Sequence, residues 1–337
     1  MADTFTEQVL KEISKDFGKE IVTGAKDIIE RDLKVIPICP SLNIATNGGI
    51  PEGSWVTFSG RPKCGKTTSV LHFCANCQKL GKEIFFLNIE GRLKKMNLEG
   101  IQGLNKEKFH VIGSTEDKIL SAQDYLNIAE KILRSVRRTV VVFDSYSSLC
   151  PESEQNGEVG TSTRGSTSGY ILLAQFCRQM ANVVPVKGSI VIGMVHLMAN
   201  PSGYGGMQEK GGNAIVYQAD VRIKCKSTEP WKVGTGAKEK LVGQKISWVC
   251  ECSALGPPMQ EVVSYHRYGK GIDELSELVQ FALDLGVIEQ KGAGWSTVKF
   301  IEGEPKAQGF DNVRQLFEEN PSWVIKLKEE VKKVLNI

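Results

Sequence analysis

Apolar positions along this chain follow two periods. Short continuous runs, Trp55-Val56-Thr57-Phe58, Ile84-Phe85-Phe86-Leu87, Val140-Val141-Val142-Phe143 and Ser189 to Val195, have the length and the β-branched and aromatic content of buried strands. Other stretches repeat at helical spacing. Phe5, Val9, Ile13 and Phe17 fall at four-residue steps, with Leu10 widening the stripe and Glu7 pairing with Lys11. Thr67 to Leu80 carries Val70, Leu71, Phe73, Cys74 and Cys77 on one face, and Tyr170 to Met180 reads as a further apolar helix. Val35 to Ser54 holds Pro37, Pro40, Pro51 and Gly48-Gly49 and predicts a turn-rich approach to the strand at Trp55. Beyond Asp220 the chain turns β-rich, over Val221 to Lys226, Gln244 to Cys252 and Gln260 to Tyr265. Leu275 to Leu285 then reads as helix, Trp295 to Ile301 as a small hairpin, and Val313 to Leu335 as a lysine-bearing helix. The pattern predicts an α/β core with a mostly parallel central sheet flanked by helices, an N-terminal helix and a small C-terminal α+β domain.

At 337 residues the chain can bury one substantial core and a small appended domain. A formal net charge of +3 advertises no polyanion partner, so a nucleic-acid surface would have to be local. Nine cysteines behind an acidic, signal-free start point to free thiols in a reducing cytoplasm. The apolar runs are strand-sized and predict no membrane span.

The segment Gly60-Arg61-Pro62-Lys63-Cys64-Gly65-Lys66-Thr67-Thr68 satisfies G-x-x-x-x-G-K-[ST] between a strand and a helix. Its glycines let backbone N–H groups close on a triphosphate, Lys66 brings a charge to the outer phosphates, and the Thr67 hydroxyl is a Mg²⁺ ligand. Ligands of open α/β sheets sit beyond the carboxyl ends of strands. Glu90 stands at such an end, as a base beside the γ-phosphate would, although an acid there is by itself more often a solvated or capping residue. Asp144 ends the strand Thr139 to Phe143 and is a candidate for the Mg²⁺ shell. Two Gly-rich segments follow strands, about 156–169 and 197–212. By composition they read as surface loops, and the two together have the make-up to wall a channel for single-stranded nucleic acid. Cys74-x-x-Cys77 and Cys250-x-Cys252 repeat no zinc-module spacing and read as core thiols. Lys326, Lys328, Lys332 and Lys333 read as the solvated face of the last helix.

With these motifs in this order, nearly all of the chain resembles a RecA-type homologous recombinase, with a RecA-like P-loop ATPase core. Asn47-Gly48-Gly49-Ile50-Pro51-Glu52-Gly53 resembles the turn before the phosphate loop, and Tyr268-Gly269-Lys270-Gly271-Ile272 the segment whose tyrosine packs near adenine. Asn156-Gly157-Glu158-Val159-Gly160 is similar to the start of the first DNA-binding loop, and Gly211-Gly212-Asn213-Ala214 to the end of the second. The resemblance implies three regions: 1–34 for polymerisation, 35–270 for the ATPase core, 271–337 for the C-terminal domain. It implies catalytic Glu90, Lys66 and His196, an ATP site at Gly60 to Thr68 with Asp144 and Tyr268, and Mg²⁺ on Thr67 and Asp144. DNA contacts are implied at Gly157, Gly160, Arg164, Met198, Tyr204, Lys210, Gly211, Gly212 and Asn213.

Four positions depart from the family pattern. His196 stands where bacterial members place a γ-phosphate-sensing glutamine, and Asn97 where an adenine-stacking tyrosine is expected. Cys250 and Cys252 occupy the places of two lysines that reach the neighbour's γ-phosphate; a thiol cannot supply that charge, and Lys245 and Arg267 are candidates to do so. The acidic C-terminal tail is missing.

The implied function is a DNA-dependent ATPase that forms helical filaments on single-stranded DNA and pairs it with homologous double-stranded DNA, in recombinational repair and the SOS response to DNA damage. Its cofactors are ATP and Mg²⁺, and its partners a single-strand-binding protein and a loader. The expected location is the cytoplasm, at a bacterial nucleoid or in a host if viral. The N-terminal helix, which by composition packs on its own core or on another copy, docks in such proteins on a neighbouring subunit. A hexameric helicase built on the same core and an ATP-binding DNA scaffold without hydrolysis remain as alternatives.

Overall fold

The computed structural model describes all residues except 1, 19, 31, 159–167, 200–206, 211, 235, 237, 238, 336 and 337. Residues 1–34 and 35–337 form two compact units. The first consists of the helix Ala2–Phe17 and the short helix Ala25–Ile29. Its apolar stripe lies open, with Phe5 72% and Phe17 71% exposed.

A ten-stranded sheet organises the second unit. From one edge its order is Gly271–Ile272, Gln260–Arg267, Lys240–Cys252, Val221–Val233, Trp55–Gly60, Ile190–Ala199, Val140–Asp144, Ile84–Asn88 and Phe109–Ile112, and the tenth strand, Met207–Glu209, pairs with Ile190–Ala199 off this path. Every neighbour pair from Val221–Val233 to Phe109–Ile112 is parallel, and the other edge is antiparallel. The parallel strands are covered on both faces, which is why they read as unbroken apolar runs. Val140 to Phe143 are fully buried, each contributing about 1.5–3 kcal/mol relative to exposure.

On one face the helix Lys66–Lys79 packs Val70, Phe73 and Cys74 against Phe86 and Trp248. On the other, the helices Ala122–Ser135 and Gly169–Met180 bring Leu126, Ala129 and Phe176 onto Val141 and Phe143. Ser121 starts the first of these by accepting from Asp124 N at 3.2 Å while the Asp124 carboxylate accepts from Ser121 N at 3.0 Å, a reciprocal cap. A third core, including Val279, Val298, Val313, Phe317 and Leu327, lies in the C-terminal part.

Four local expectations are corrected. The approach to the phosphate loop contains a helix, Pro40–Thr46, closed by Asn47 at φ +58°. The helix is anchored by a residue far away in sequence: buried Glu277 accepts from Ser41 N at 2.9 Å and from the Ser264 hydroxyl. The expected hairpin at Trp295 is the middle strand (Trp295–Thr297) of a three-stranded sheet, between Glu289–Lys291 and Lys306–Gln308. The last helix is two, Phe310–Glu319 and Pro321–Leu335. Asn320 leaves the helical region (φ −126°, ψ 76°) because a following proline crowds it. Finally, the strand after Ser189 continues to Ala199, since Met207–Glu209 folds back and pairs with it. The second Gly-rich segment is thus partly a hairpin.

Candidate active site

The parallel register brings the strand ends to one place. Gly60 pairs with His196, and Asn88 with Asp144. Glu90 lies in the turn two residues past its strand, its N–H bonded to Asp144 O at 3.0 Å. Glu90, Asp144 and His196, together with Pro62 to Thr68 and Tyr268, line one cleft of about 700 Å³. Gly65 caps the helix Lys66–Lys79 at φ +88°. A Cβ there would sit 2.3 Å from Ile246 Cδ1 and 2.9 Å from His266 Nδ1, so only glycine lets the loop press this closely on the antiparallel strands. His266 is buried beneath the loop, and burial pulls its pKa down to about 3, so the ring is neutral.

Lys66 is buried and folded back, its Nζ donating to Gly60 O at 2.8 Å and Arg61 O at 3.0 Å. Gly60 and Arg61 therefore act through carbonyls that hold Lys66, while Pro62 to Thr68 face the cleft. The Thr67 hydroxyl donates to Met194 Sδ at 3.6 Å and stands beside the Asp144 carboxyl.

Two carboxylates in the cleft are driven apart electrostatically. Glu90 Oε1 accepts from His196 Nε2 at 2.8 Å, from Ser145 Oγ at 2.6 Å and from Ser148 Oγ at 3.3 Å. The His196 bond, then Ser145, overcome burial and lower the Glu90 carboxyl to about 2. Arg92, 75% exposed, adds its guanidinium at 3.3 Å from Oε2. Burial, and then the Glu90 charge, push Asp144 up to about 6. A desolvated carboxylate beside a hydroxyl is a hard oxygen donor pair in need of positive charge, and it fits Mg²⁺.

His196 is also tied to the second Gly-rich segment. Its N–H donates to Ser147 Oγ at 2.9 Å, Ser147 Oγ donates to Lys210 O at 2.6 Å, and Lys210 N–H donates to His196 O at 2.8 Å. Lys210 follows the Met207–Glu209 strand, and Met198 lies on its partner, 44% exposed. Gly212 precedes the helix Asn213–Gln218. A Cβ there would stand 3.2 Å from Tyr170 Cβ, so the end of the second segment lies against the helix that follows the first. Gly157 lies just past the short helix Glu152–Gln155. Gly160, Arg164, Tyr204 and Gly211 lie outside the described residues.

Tyr268 and Asn97 line the far part of the cleft with Met96, an exposed apolar side chain that sequence reasoning missed. Cys250 is fully buried, its thiol donating to Cys252 O at 3.2 Å. Both cations expected to substitute are engaged: Lys245 lies over the Tyr265 ring at 5.2 Å, and Arg267 over Trp231 at 4.8 Å and on Asp273 at 3.1 Å. The neighbouring strand carries other cations. Arg222, paired in register with Cys252, meets Glu251 at 2.7 Å and Glu209 at 3.3 Å, and Lys224 meets Glu251 at 3.1 Å. Among the described residues no helix is long and apolar enough to cross a membrane.

Comparison with known proteins places this geometry in context. A family model, RecA N-terminal domain, matches residues 4–273. Proteins named Protein RecA are similar over nearly the whole chain. That of Oleidesulfovibrio alaskensis is 29% identical over 320 residues, 92% of this chain and 86% of the relative. That of Syntrophus aciditrophicus is 29% identical over 333 residues (96% and 91%), and that of Mycobacterium marinum 29% over 345 residues (98% and 92%).

Proposed function

This chain belongs to the RecA family, and we propose that within it the chain is a DNA-dependent ATPase that polymerises on single-stranded DNA and exchanges strands with a homologous duplex. The observation that carries the reading is the convergence of Lys66, Glu90, Asp144 and His196 on one cleft below a phosphate loop, with His196 wired to a Gly-rich hairpin.

In this reading the backbone N–H groups of Pro62 to Thr68 cradle the phosphates of ATP, and Lys66 exchanges the Gly60 and Arg61 carbonyls for phosphate oxygens. Thr67 and Asp144 would hold Mg²⁺, which neutralises phosphate charge when bound. Tyr268, Asn97 and Met96 border the base. Glu90 orients the attacking water and takes its proton. A carboxylate held at about 2 by His196 and Ser145 is a weak base. Transfer of the His196 N–H from Glu90 to a phosphate oxygen restores its basicity. Ser147 and Lys210 are joined to the His196 backbone, so a shift of His196 on its strand as the ring re-pairs lets ATP set the arrangement of the hairpin carrying Met198 and Lys210 beside Gly157, Gly212 and Asn213. Hydrolysis reverses it. DNA contacts are made mainly to phosphate, so binding falls steeply with salt. The positive charge that Cys250 and Cys252 do not supply comes from Arg222 and Lys224 on the adjacent strand. The open stripe of Phe5, Leu10 and Phe17 fits docking on another copy in a filament.

A second reading, an ATP-binding DNA scaffold that hardly hydrolyses, draws on the burial of Cys250 and the neutralisation of Arg222 and Lys224 by Glu251. ATP turnover with and without single-stranded DNA separates the two. Electron microscopy with single-stranded DNA and a non-hydrolysable ATP analogue tests assembly. Helical filaments are expected, and closed rings would sink the filament reading.

A further inference from the structure

We propose that Cys64 and Cys225 form a dithiol site at which a hydroperoxide oxidises the phosphate loop, closing a reversible disulfide between the loop and the strand Val221–Val233. The fold brings the two residues together across Gly60. Ser59 pairs in parallel register with Lys224, which sets Cys225 beside Gly60. A Cβ on Gly60 would meet Cys64 Sγ at 2.4 Å and Cys225 Cβ at 2.9 Å, so the glycine leaves the room that the two cysteines share. The Cys225 thiol donates to Ser227 O at 3.7 Å.

The two partners are unequal, as an attacking and a resolving thiol should be. Cys64 lines the cleft, though only 4% exposed. The neighbouring Cys225 thiol, and then the Lys66 ammonium, whose Nζ lies 3.9 Å from Cys64 Sγ, favour the thiolate of Cys64. Cys225, 8% exposed, is not part of the cleft wall, and its thiol is held in the protonated form by Cys64 and by burial. Elsewhere Cys74, Cys77 and Cys177 are buried among apolar side chains that push their thiols upward, and they serve as unreactive controls.

The chemistry balances in two steps. The Cys64 thiolate attacks the peroxide, the O–O bond breaks, and sulfur keeps one oxygen as sulfenic acid while water or an alcohol leaves with a proton. Cys225 sulfur then attacks Cys64 sulfur, the S–O bond breaks, and hydroxide leaves as water with the Cys225 proton. Two electrons pass from the thiols to the peroxide. A dithiol reductant reverses the sequence. The bridge pins the loop that holds Lys66 and so closes the cleft to phosphates; this consequence, unlike the bond itself, rests on the nucleotide reading above.

The test exposes the full chain to near-stoichiometric hydrogen peroxide, alkylates the remaining thiols and maps linked peptides by mass spectrometry. A Cys64–Cys225 peptide should form before any other oxidation product, and Mg-ATP should slow it by about tenfold or more by covering Cys64. Binding of a fluorescent ATP analogue should weaken by about tenfold or more on oxidation and recover with dithiothreitol. Cys225→Ser should bind the analogue like the parent before oxidation and yield no linked peptide. Oxidation of other cysteines with no Cys64–Cys225 peptide overturns the proposal, and the linked peptide with unchanged analogue binding overturns its claim that the bridge closes the cleft. A reduced chain that does not bind the analogue at all refutes the nucleotide reading instead, and peptide mapping on the parent still decides whether the disulfide forms.

Discussion

His196 Nε2 lies 2.8 Å from Glu90 Oε1, and this bond is the largest influence holding the Glu90 carboxyl at about 2. A carboxyl lowered from its ordinary 4.5 stabilises the fold fully above pH 4.5, and the contribution is lost as pH falls towards 2. Discounted for its partial exposure, it amounts to on the order of 1–2 kcal/mol. The stability difference between the parent and His196→Ala, from urea unfolding at stepped pH, should be largest near neutrality and shrink between pH 4.5 and 2. A difference constant over that range would mean that the pair is not coupled. His196→Gln keeps a hydrogen-bond donor, and should retain turnover.

Glu90→Gln removes the base but preserves hydrogen-bond capacity. Binding of ATP and of single-stranded DNA should survive, while turnover falls by about 100-fold or more, the usual scale of a general base. Steady-state ATP hydrolysis checks it, and unchanged turnover would remove Glu90 from its role.

Asp144 titrates the other way. Its carboxyl is raised from 3.8 to about 6, so its favourable contribution is present below pH 3.8 and is lost as pH rises through 6. Asp144→Asn relieves the buried charge and should stabilise the chain without nucleotide by on the order of 2–3 kcal/mol at pH 7.5, and by nearly nothing at pH 3.5. The same variant should lose the stabilisation that Mg-ATP gives the parent. Thermal melts at the two pH values, with and without Mg-ATP, provide both readouts.

Ser147 touches neither phosphate nor DNA in this account, yet its hydroxyl joins His196 N–H to Lys210 O. Ser147→Ala should leave DNA-free turnover within about twofold but reduce its stimulation by single-stranded DNA by about tenfold, a coupling of 1–2 kcal/mol. Equal stimulation in parent and variant would place the coupling elsewhere.

Much of this site could be read from the chain before its structure. Gly60 to Thr68 was legible because a phosphate cradle constrains backbone and side chain together, and Glu90 and Asp144 because apolar strands end at them. The parallel core was legible from the unbroken apolar runs around Val142 and Ile192. Other parts carry no local signal. The Ser147 link joins residues 49 and 63 positions apart, and a serine in a polar turn looks like any other. Strand Val221–Val233 extends past Lys226 through exposed polar residues held by ladder pairing with Lys240–Cys252, so no hydrophobic period marks it. The helix Pro40–Thr46 depends on Glu277, a charge buried only because Ser41, Ser264 and Tyr265 surround it.

The central claim is that a cleft built on Lys66, Glu90, Asp144 and His196 drives homologous strand exchange. The most direct measurement incubates the chain with circular single-stranded DNA, a homologous linear duplex, ATP and Mg²⁺, and follows joint molecules and nicked circles on a gel. The account predicts nicked circular product with the parent chain and none when the duplex is heterologous. Efficient ATP hydrolysis on single-stranded DNA with no joint molecules from a homologous pair would contradict it.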